Sequence, residues 1–272
     1  MPELPEVETT LRGIEPFILN KKISSVVIRQ SSLRWTVPTK LIQKKLLGKT
    51  FSNITRRGKY LLLESCNEYL IIHLGMSGSL RIAKEEDLKK HDHIDVCFVD
   101  GTILRYCDPR RFGCFLWTKD VETHFLLKDL GPEPLGNNFS GDYLFHNSRK
   151  RKVPIKNFIM NSKVVVGVGN IYATEALFAA AIRPSSKAGK VPRKKYDLLA
   201  KEIVTILRRS IKDGGTTLRD FVSGNNTPGY FKQSLKVYGR EGKECYECQT
   251  IIKGQRIGQR ASAYCPLCQS SF

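Results

Sequence analysis

Two cysteine pairs constrain this chain more than any other feature: Cys245-x2-Cys248 and Cys265-x2-Cys268, with sixteen residues between them. Each pair can grip one metal ion from a tight knuckle, and four thiolates together fill a tetrahedral zinc shell. With no ligand position left open, one such zinc is structural and activates no water. The segment from about Tyr238 onward holds few other apolar side chains, so it has little to fold around except the metal. Lys253, Arg256 and Arg260 lie between the knuckles. A zinc-held hairpin carries Arg260 at or near its tip, aimed at a phosphate or groove, or simply solvated. The other four cysteines, Cys66, Cys97, Cys107 and Cys114, sit in strand-like runs and read as inert core thiols. Eight cysteines in 272 residues behind an acidic, proline-bearing N-terminus do not read as a secreted disulfide framework.

The hydrophobic rhythm predicts an α+β fold in three parts. Val7, Leu11, Ile14, Phe17 and Ile18 recur at helical spacing, with Pro5 in a plausible first turn. Short β-branched and aromatic runs follow: Ile23–Ile28, Tyr60–Leu63, Tyr69–Leu74, Ser79–Ile82, Ile94–Val99, Thr102–Tyr106 and Cys114–Thr118. Asp100-Gly101 between two of them signals a tight hairpin. Residues 1–130 are therefore predicted to form an antiparallel β-sandwich with a leading helix and a smaller helix near Thr39–Leu47. Past Gly131-Pro132-Glu133-Pro134 helical patterns take over. Ile171–Ala181 is closed by Pro184, and Pro192–Asp213 stops at Gly214-Gly215. Residues 131–235 form the predicted helical domain and 236–272 the zinc-finger hairpin.

Lys and Arg number 45 against 26 acids, for a net charge of +19, and +16 of it falls after Leu144. That asymmetry suits a half that faces a polyanion. No apolar run approaches the roughly 18 residues that a membrane-spanning helix needs. The chain reads as cytoplasmic and soluble. At the other end, Met1 precedes the small residue Pro2, so removal of the methionine is expected. The proline amine then exposed is a secondary amine with an ordinary pKa near 8, nucleophilic in useful fraction and tuned lower by a helix N-terminus. Attack on an aldehyde-level carbon gives a cationic iminium that cannot lose its charge by losing a proton. Glu3 stands beside it to move protons, and Glu6 can hold the geometry.

Six segments in order carry a resemblance. They are Pro2-Glu3-Leu4-Pro5-Glu6-Val7-Glu8, Arg57-Gly58-Lys59-Tyr60-Leu61, His73-Leu74-Gly75-Met76-Ser77-Gly78, Asp108-Pro109-Arg110-Arg111-Phe112-Gly113, Gly167-Val168-Gly169-Asn170-Ile171-Tyr172-Ala173, and Gln259-Arg260-Ala261 ahead of Cys265. Along essentially its whole length the chain resembles the formamidopyrimidine-DNA glycosylases. The resemblance implies a helix–two-turn–helix element in the middle domain. It also implies a bifunctional base-excision enzyme that removes 8-oxoguanine and formamidopyrimidines from damaged double-stranded DNA, then cleaves the strand by β- and δ-elimination.

By the same resemblance Pro2 is the nucleophile and Schiff-base former, Glu3 the proton shuttle, and Lys59 a general acid/base near the damaged nucleotide. Arg260 contacts the backbone and assists the last elimination. Met76, Arg110 and Phe112 resemble wedge residues that fill the hole left by a flipped nucleotide, with the arginine pairing to the orphaned cytosine. His91, Lys156 and Asn170 resemble further DNA contacts, and the enzyme is expected to act as a monomer. His91 with His93 could suggest a metal, but the pair lacks a third ligand. The nearest rival is an endonuclease VIII-type glycosylase for oxidised pyrimidines. Leu4 and the loop Ser223–Tyr230, which looks like a flap over flipped 8-oxoguanine, favour the purine reading. A non-catalytic zinc-finger DNA-binding protein would explain charge and cysteines, yet gives no reason for the proline terminus, Glu3 or Lys59.

Overall fold

Leu4, Val7, Leu11, Ile14 and Ile18 fall on one stripe and are buried, which fixes helix α1 (Leu4–Ile18) against the sheets that follow it. The structure, a computed structural model, describes residues 2–215 and 235–272. These fall into two units, residues 2–128 with 214–215, and residues 129–213 with 235–272.

In the first unit α1 leads to β1 (Ile23–Ile28), α2 (Thr39–Leu46), β2 (Asn53–Arg57), β3 (Tyr60–Ser65), β4 (Glu68–His73), β5 (Ser79–Ala83), β6 (Asp92–Phe98), β7 (Ile103–Cys107) and β8 (Cys114–Thr118). The strands form two four-stranded antiparallel sheets, ordered β1-β6-β7-β5 and β2-β3-β4-β8. Their facing residues, among them Val26, Leu61, Leu63, Leu70, Ile72, Ile94, Val96 and Leu104, form one buried cluster with the α1 stripe. Each contributes roughly 1.5–3 kcal/mol by burial. The sandwich expected from the sequence is present.

Two expectations change. Strand β2 was not expected, because only Ile54 of its five residues is buried. It is a sheet edge, where alternation carries little signal. Cys66 is not a core thiol: it is exposed in the β3–β4 turn, where Cys66 and Asn67 both have positive φ. The run around it is a hairpin, so the cysteine lands at the tip. Cys97 and Cys107 are half-buried, and only Cys114 is fully buried.

The second unit holds α3 (Gly141–Ser148), α4 (Ile155–Met160), α5 (Asn170–Ala179), α6 (Arg193–Lys212) and the hairpin β9 (Lys253–Ile257) to β10 (Arg260–Tyr264). Helix α5 is buried from Tyr172 to Phe178, which accounts for its alanine-rich, non-amphipathic sequence. The cysteine-bearing tail does not stand apart. Phe178 of α5 shares a small core with Val237, Cys245, Ile252, Ala263 and Cys265. The buried Glu175 carboxylate accepts from the backbone N–H groups of Lys236, Val237 and Tyr238 at 2.7–3.0 Å, clamping the chain that enters the tail.

At the end of β4, His73 Nδ1 accepts from Gly75 N–H at 3.0 Å, and its ring packs on Tyr60 at 4.7 Å. Burial, assisted by the cations Lys59 and Arg34, holds the imidazole pKa down to about 4, so it is neutral at physiological pH. The unfolded chain, with an ordinary value near 6.5, binds a proton that the folded chain refuses. Stability is therefore complete above about 6.5 and lost as pH falls toward 4, by roughly 2 kcal/mol between about pH 7 and pH 5. Urea unfolding at those two pH values should show that loss in the wild type and much less of it in His73→Gln. An equal loss in both proteins would contradict this.

Candidate active site

The head of α1 is built from acids that satisfy its own open backbone. Glu3 is the N-cap, and its N–H donates to Glu6 Oε2 at 2.9 Å, the return arm of a capping box. Glu3 and Glu6 are 2% and 4% exposed. Pro2, half-buried, precedes them at the positive end of the helix. Gly215, with φ of +81°, lies against Glu6; a Cβ there would sit 3.1 Å from Oε1, so a side chain would crowd the carboxylate.

Lys59 occupies the two-residue turn from β2 to β3, after Gly58 with φ of +58°. That turn is tied to α1. Arg56 donates to the Gly58 carbonyl and to Glu8 Oε2, both at 2.9 Å, and Glu8 also holds Arg12. Burial alone would raise the Glu8 pKa, but its hydrogen bonds and ion pairs with Arg56 and Arg12 outweigh that and lower it. The helix that presents Pro2 and Glu3 thus also fixes the turn that presents Lys59.

The three expected wedge residues stand on two neighbouring loops of the same unit. Met76 is 37% exposed after β4, and Phe112 is 44% exposed between β7 and β8, with the Arg110 guanidinium 4.7 Å above its ring. The loops touch through backbone: a Cβ on Gly75 would fall 2.5 Å from Phe112 C. His91 is half-buried, and its carbonyl accepts from Asp108 N–H at 3.1 Å. His93 is buried, with Nε2 2.8 Å from the Asp108 carbonyl, so it carries its proton there and is committed. Sequence reasoning gave no role to Asp108, Ser77, His73 or Gly215. All but Gly215 lie inside the quoted motifs, yet only their contacts distinguish them.

In the second unit Asn170 opens α5, half-buried, after Gly167 with φ of +81°. Lys156, expected as a DNA contact, lies in α4. Its side chain is buried in α4, and Nζ donates to the Ala261 carbonyl at 3.1 Å and to Ser262 Oγ at 2.7 Å. Beside it, Asn157 abuts the hairpin tip: a Cβ on Gly258 would meet Asn157 Nδ2 at 2.5 Å. The apolar spacing of α4 could not separate an inward lysine from an outward one. Gly258 and Gln259, with φ of +52° and +62°, make the turn, and Arg260 follows at the tip, exposed.

Behind the hairpin, one sulfur from each of Cys245, Cys248, Cys265 and Cys268 lies within 4.8 Å of the others. Three of the six sulfur pairs are 3.4–3.9 Å apart. Tetrahedral zinc with bonds near 2.3 Å requires sulfurs about 3.8 Å apart, so the donor set and its spacing fit that ion. Among the described residues no other group of three or more His, Cys, Asp or Glu could hold a metal. The flap expected at Ser223–Tyr230 lies outside the described residues. Among the described residues no helix is long and apolar enough to cross a membrane.

Comparison with known proteins agrees with this layout. The formamidopyrimidine-DNA glycosylase N-terminal domain profile matches residues 1–115, and the profile of the H2TH domain of the same enzymes matches 130–222. A formamidopyrimidine-DNA glycosylase of Cellvibrio japonicus is 56% identical over 99% of this chain and all of its own length. One from Saccharophagus degradans is 54% identical over the same extents. Among solved structures, Lactococcus lactis Fpg in complex with abasic-site DNA superposes with a TM-score of 0.91 at 34% identity, covering 99% of this chain and 100% of its own. MutM in complex with DNA containing carbocyclic 8-oxo-G gives 0.89 at 34%, with the same coverage. The chain belongs to the formamidopyrimidine-DNA glycosylase family of DNA repair enzymes.

Proposed function

We propose that the chain excises oxidised purines, 8-oxoguanine and formamidopyrimidines, from duplex DNA and then cleaves the strand by β,δ-elimination through a Schiff base on Pro2. The observation that carries this reading is the joint construction of its chemistry. Pro2 and Glu3 head α1, and the Lys59 turn is pinned to that helix through Arg56 and Glu8.

Once Met1 is removed, the Pro2 nitrogen attacks C1′ of the damaged nucleotide and the C1′–base bond breaks, the base leaving with a proton. The sugar ring opens as the nitrogen becomes an iminium, with Glu3 passing a proton at the sugar oxygen. Loss of a C2′ proton expels the 3′ phosphate, and a second elimination expels the 5′ phosphate. Lys59 serves as a general acid/base in these transfers. Arg260 steadies phosphate charge in the last one, and Lys156 supports it indirectly by holding β10. Met76, Arg110 and Phe112 enter the stack, while His91 and Asn170 contact the backbone. Cys245, Cys248, Cys265 and Cys268 hold one structural zinc, which supplies folding energy and no chemistry. The purine preference is supported by Leu4 and by solved relatives whose DNA contains 8-oxo-G or Fapy-dG. The enzyme acts as a monomer in the cytoplasm on this reading.

A nicking assay should show cleavage of a duplex with 8-oxoguanine opposite cytosine well above one with thymine glycol opposite adenine. Pro2→Gly should lower that cleavage by roughly a hundredfold or more with lesion binding retained; unchanged cleavage refutes the scheme. Elemental analysis should find about one zinc per chain. Cys265→Ser should lose the metal together with at least about tenfold in affinity for lesion DNA, because an unfolded finger withdraws Arg260. A zinc-free variant of full affinity would contradict that role. Finally, affinity should fall steeply with salt, since Lys and Arg contacts to phosphate release counterions. A flat response would mean that the basic half does not face the DNA backbone.

A further inference from the structure

The loops that present Met76 and the Arg110–Phe112 pair are joined by one side chain that none of the roles above uses. Asp108 is fully buried where they meet. Its Oδ1 accepts from Ser77 Oγ at 3.0 Å, one residue from Met76, and from Arg110 N–H at 3.3 Å. Oδ2 accepts from Gly113 N–H at 2.9 Å, one residue from Phe112, and from the Tyr106 hydroxyl at 3.1 Å. Its backbone is fixed as well, N–H to the His91 carbonyl at 3.1 Å and C=O from His93 Nε2 at 2.8 Å. Four donors therefore converge on two oxygens, Ser77 from the Met76 side of the gap and Tyr106, Arg110 and Gly113 from β7 and the loop that follows it. Close backbone approach completes the joint: a Cβ on Gly113 would strike the Tyr106 hydroxyl at 2.0 Å and the His73 carbonyl at 2.2 Å.

We propose that Asp108 is a positioning residue for base extrusion. It sets the spacing of Met76 relative to Arg110 and Phe112 before DNA arrives, so that the three side chains enter the stack as one preformed wedge. The physical need is plain. Extrusion opposes base stacking, and a wedge that had to order itself at that moment would add its own entropy to the barrier. A carboxylate suits the joint because it only accepts. The isosteric Asp108→Asn offers one oxygen where two are used and turns an NH2 toward a donor, breaking one side of the joint without leaving a cavity. The inference rests on the wedge roles given under the proposed function.

A test that does not depend on the chemistry uses stopped-flow mixing with a duplex holding tetrahydrofuran, an uncleavable abasic analogue, next to 2-aminopurine. Wedge entry changes the 2-aminopurine fluorescence. Asp108→Asn should slow that phase about tenfold, the effect of losing a charge-assisted hydrogen bond, with affinity for undamaged duplex unchanged. Ser77→Ala, which removes one donor from the Met76 side only, should slow it in the same direction by less. In 8-oxoguanine excision both variants should also narrow any difference in rate that the wild type shows between cytosine and adenine opposite the lesion, which a general loss of folded protein cannot do. Strand cleavage at an abasic site in single-stranded DNA, where no stack is entered, should stay within about threefold of wild type. An unchanged fluorescence phase in both variants, or an equal loss on single- and double-stranded substrates, would overturn the proposal. If Asp108→Asn does not fold, Ser77→Ala and Tyr106→Phe decide it by the same readouts. Wild-type protein that shows the fluorescence phase but does not excise 8-oxoguanine would refute the proposed substrate and leave this inference standing.

Discussion

The chemistry proposed for the first unit depends on the ion pair between Glu8 and Arg56. Glu8 lies on the helix headed by Pro2 and Glu3, and Arg56 lies on the edge strand that delivers Lys59. The Arg56 side chain is 9% exposed and that of Glu8 18%, so solvent screens the pair less than a surface bridge. Removing Arg56 would break its hydrogen bond to the Gly58 carbonyl, and removing Glu8 would take a carboxylate partner from the largely buried Arg56. A drift of an ångström matters where proton transfer requires hydrogen-bond distances. The helix itself is fixed by apolar burial along its stripe and by Glu6 at its head, so the site inherits the rigidity of the sandwich core.

The second unit solves a different problem, the support of an exposed cation at the end of a thin hairpin. Arg260 follows a two-residue turn with positive φ on both residues, and little apolar surface surrounds it. Rigidity comes from behind. Four thiolates can close around one ion, Glu175 clamps the incoming strand, and Lys156 and Asn157 of α4 bear on the hairpin between its tip and Ser262. A lysine buried to hold a finger is costly to desolvate, and its two acceptors on β10 offset that cost.

Much of this was legible in the primary structure, and the parts that were not share a cause. Period-3.6 patterns marked α1 and α6, which bury one face, and short apolar runs marked β1 and β8. They missed β2, whose only buried side chain is Ile54, and they placed Cys66 inside a strand when it sits at a turn. The cysteine spacing pointed to a metal cluster because chelation is local. Lys156 shows the opposite case. Its residue type suggests phosphate, whereas its partners lie more than a hundred residues away on β10. Asp108 was visible only as part of a motif, since its four donors come from two loops and a strand end.

The most direct test of the central claim is to locate the covalent bond. Wild-type protein reduced with borohydride while it acts on an 8-oxoguanine duplex should be digested and its peptides mapped by mass spectrometry. The account predicts a sugar adduct on the peptide that begins at Pro2, at the proline nitrogen, with Lys59 unmodified. An adduct on Lys59 or another lysine, or excision by protein whose Pro2 nitrogen is still blocked by Met1, would contradict it.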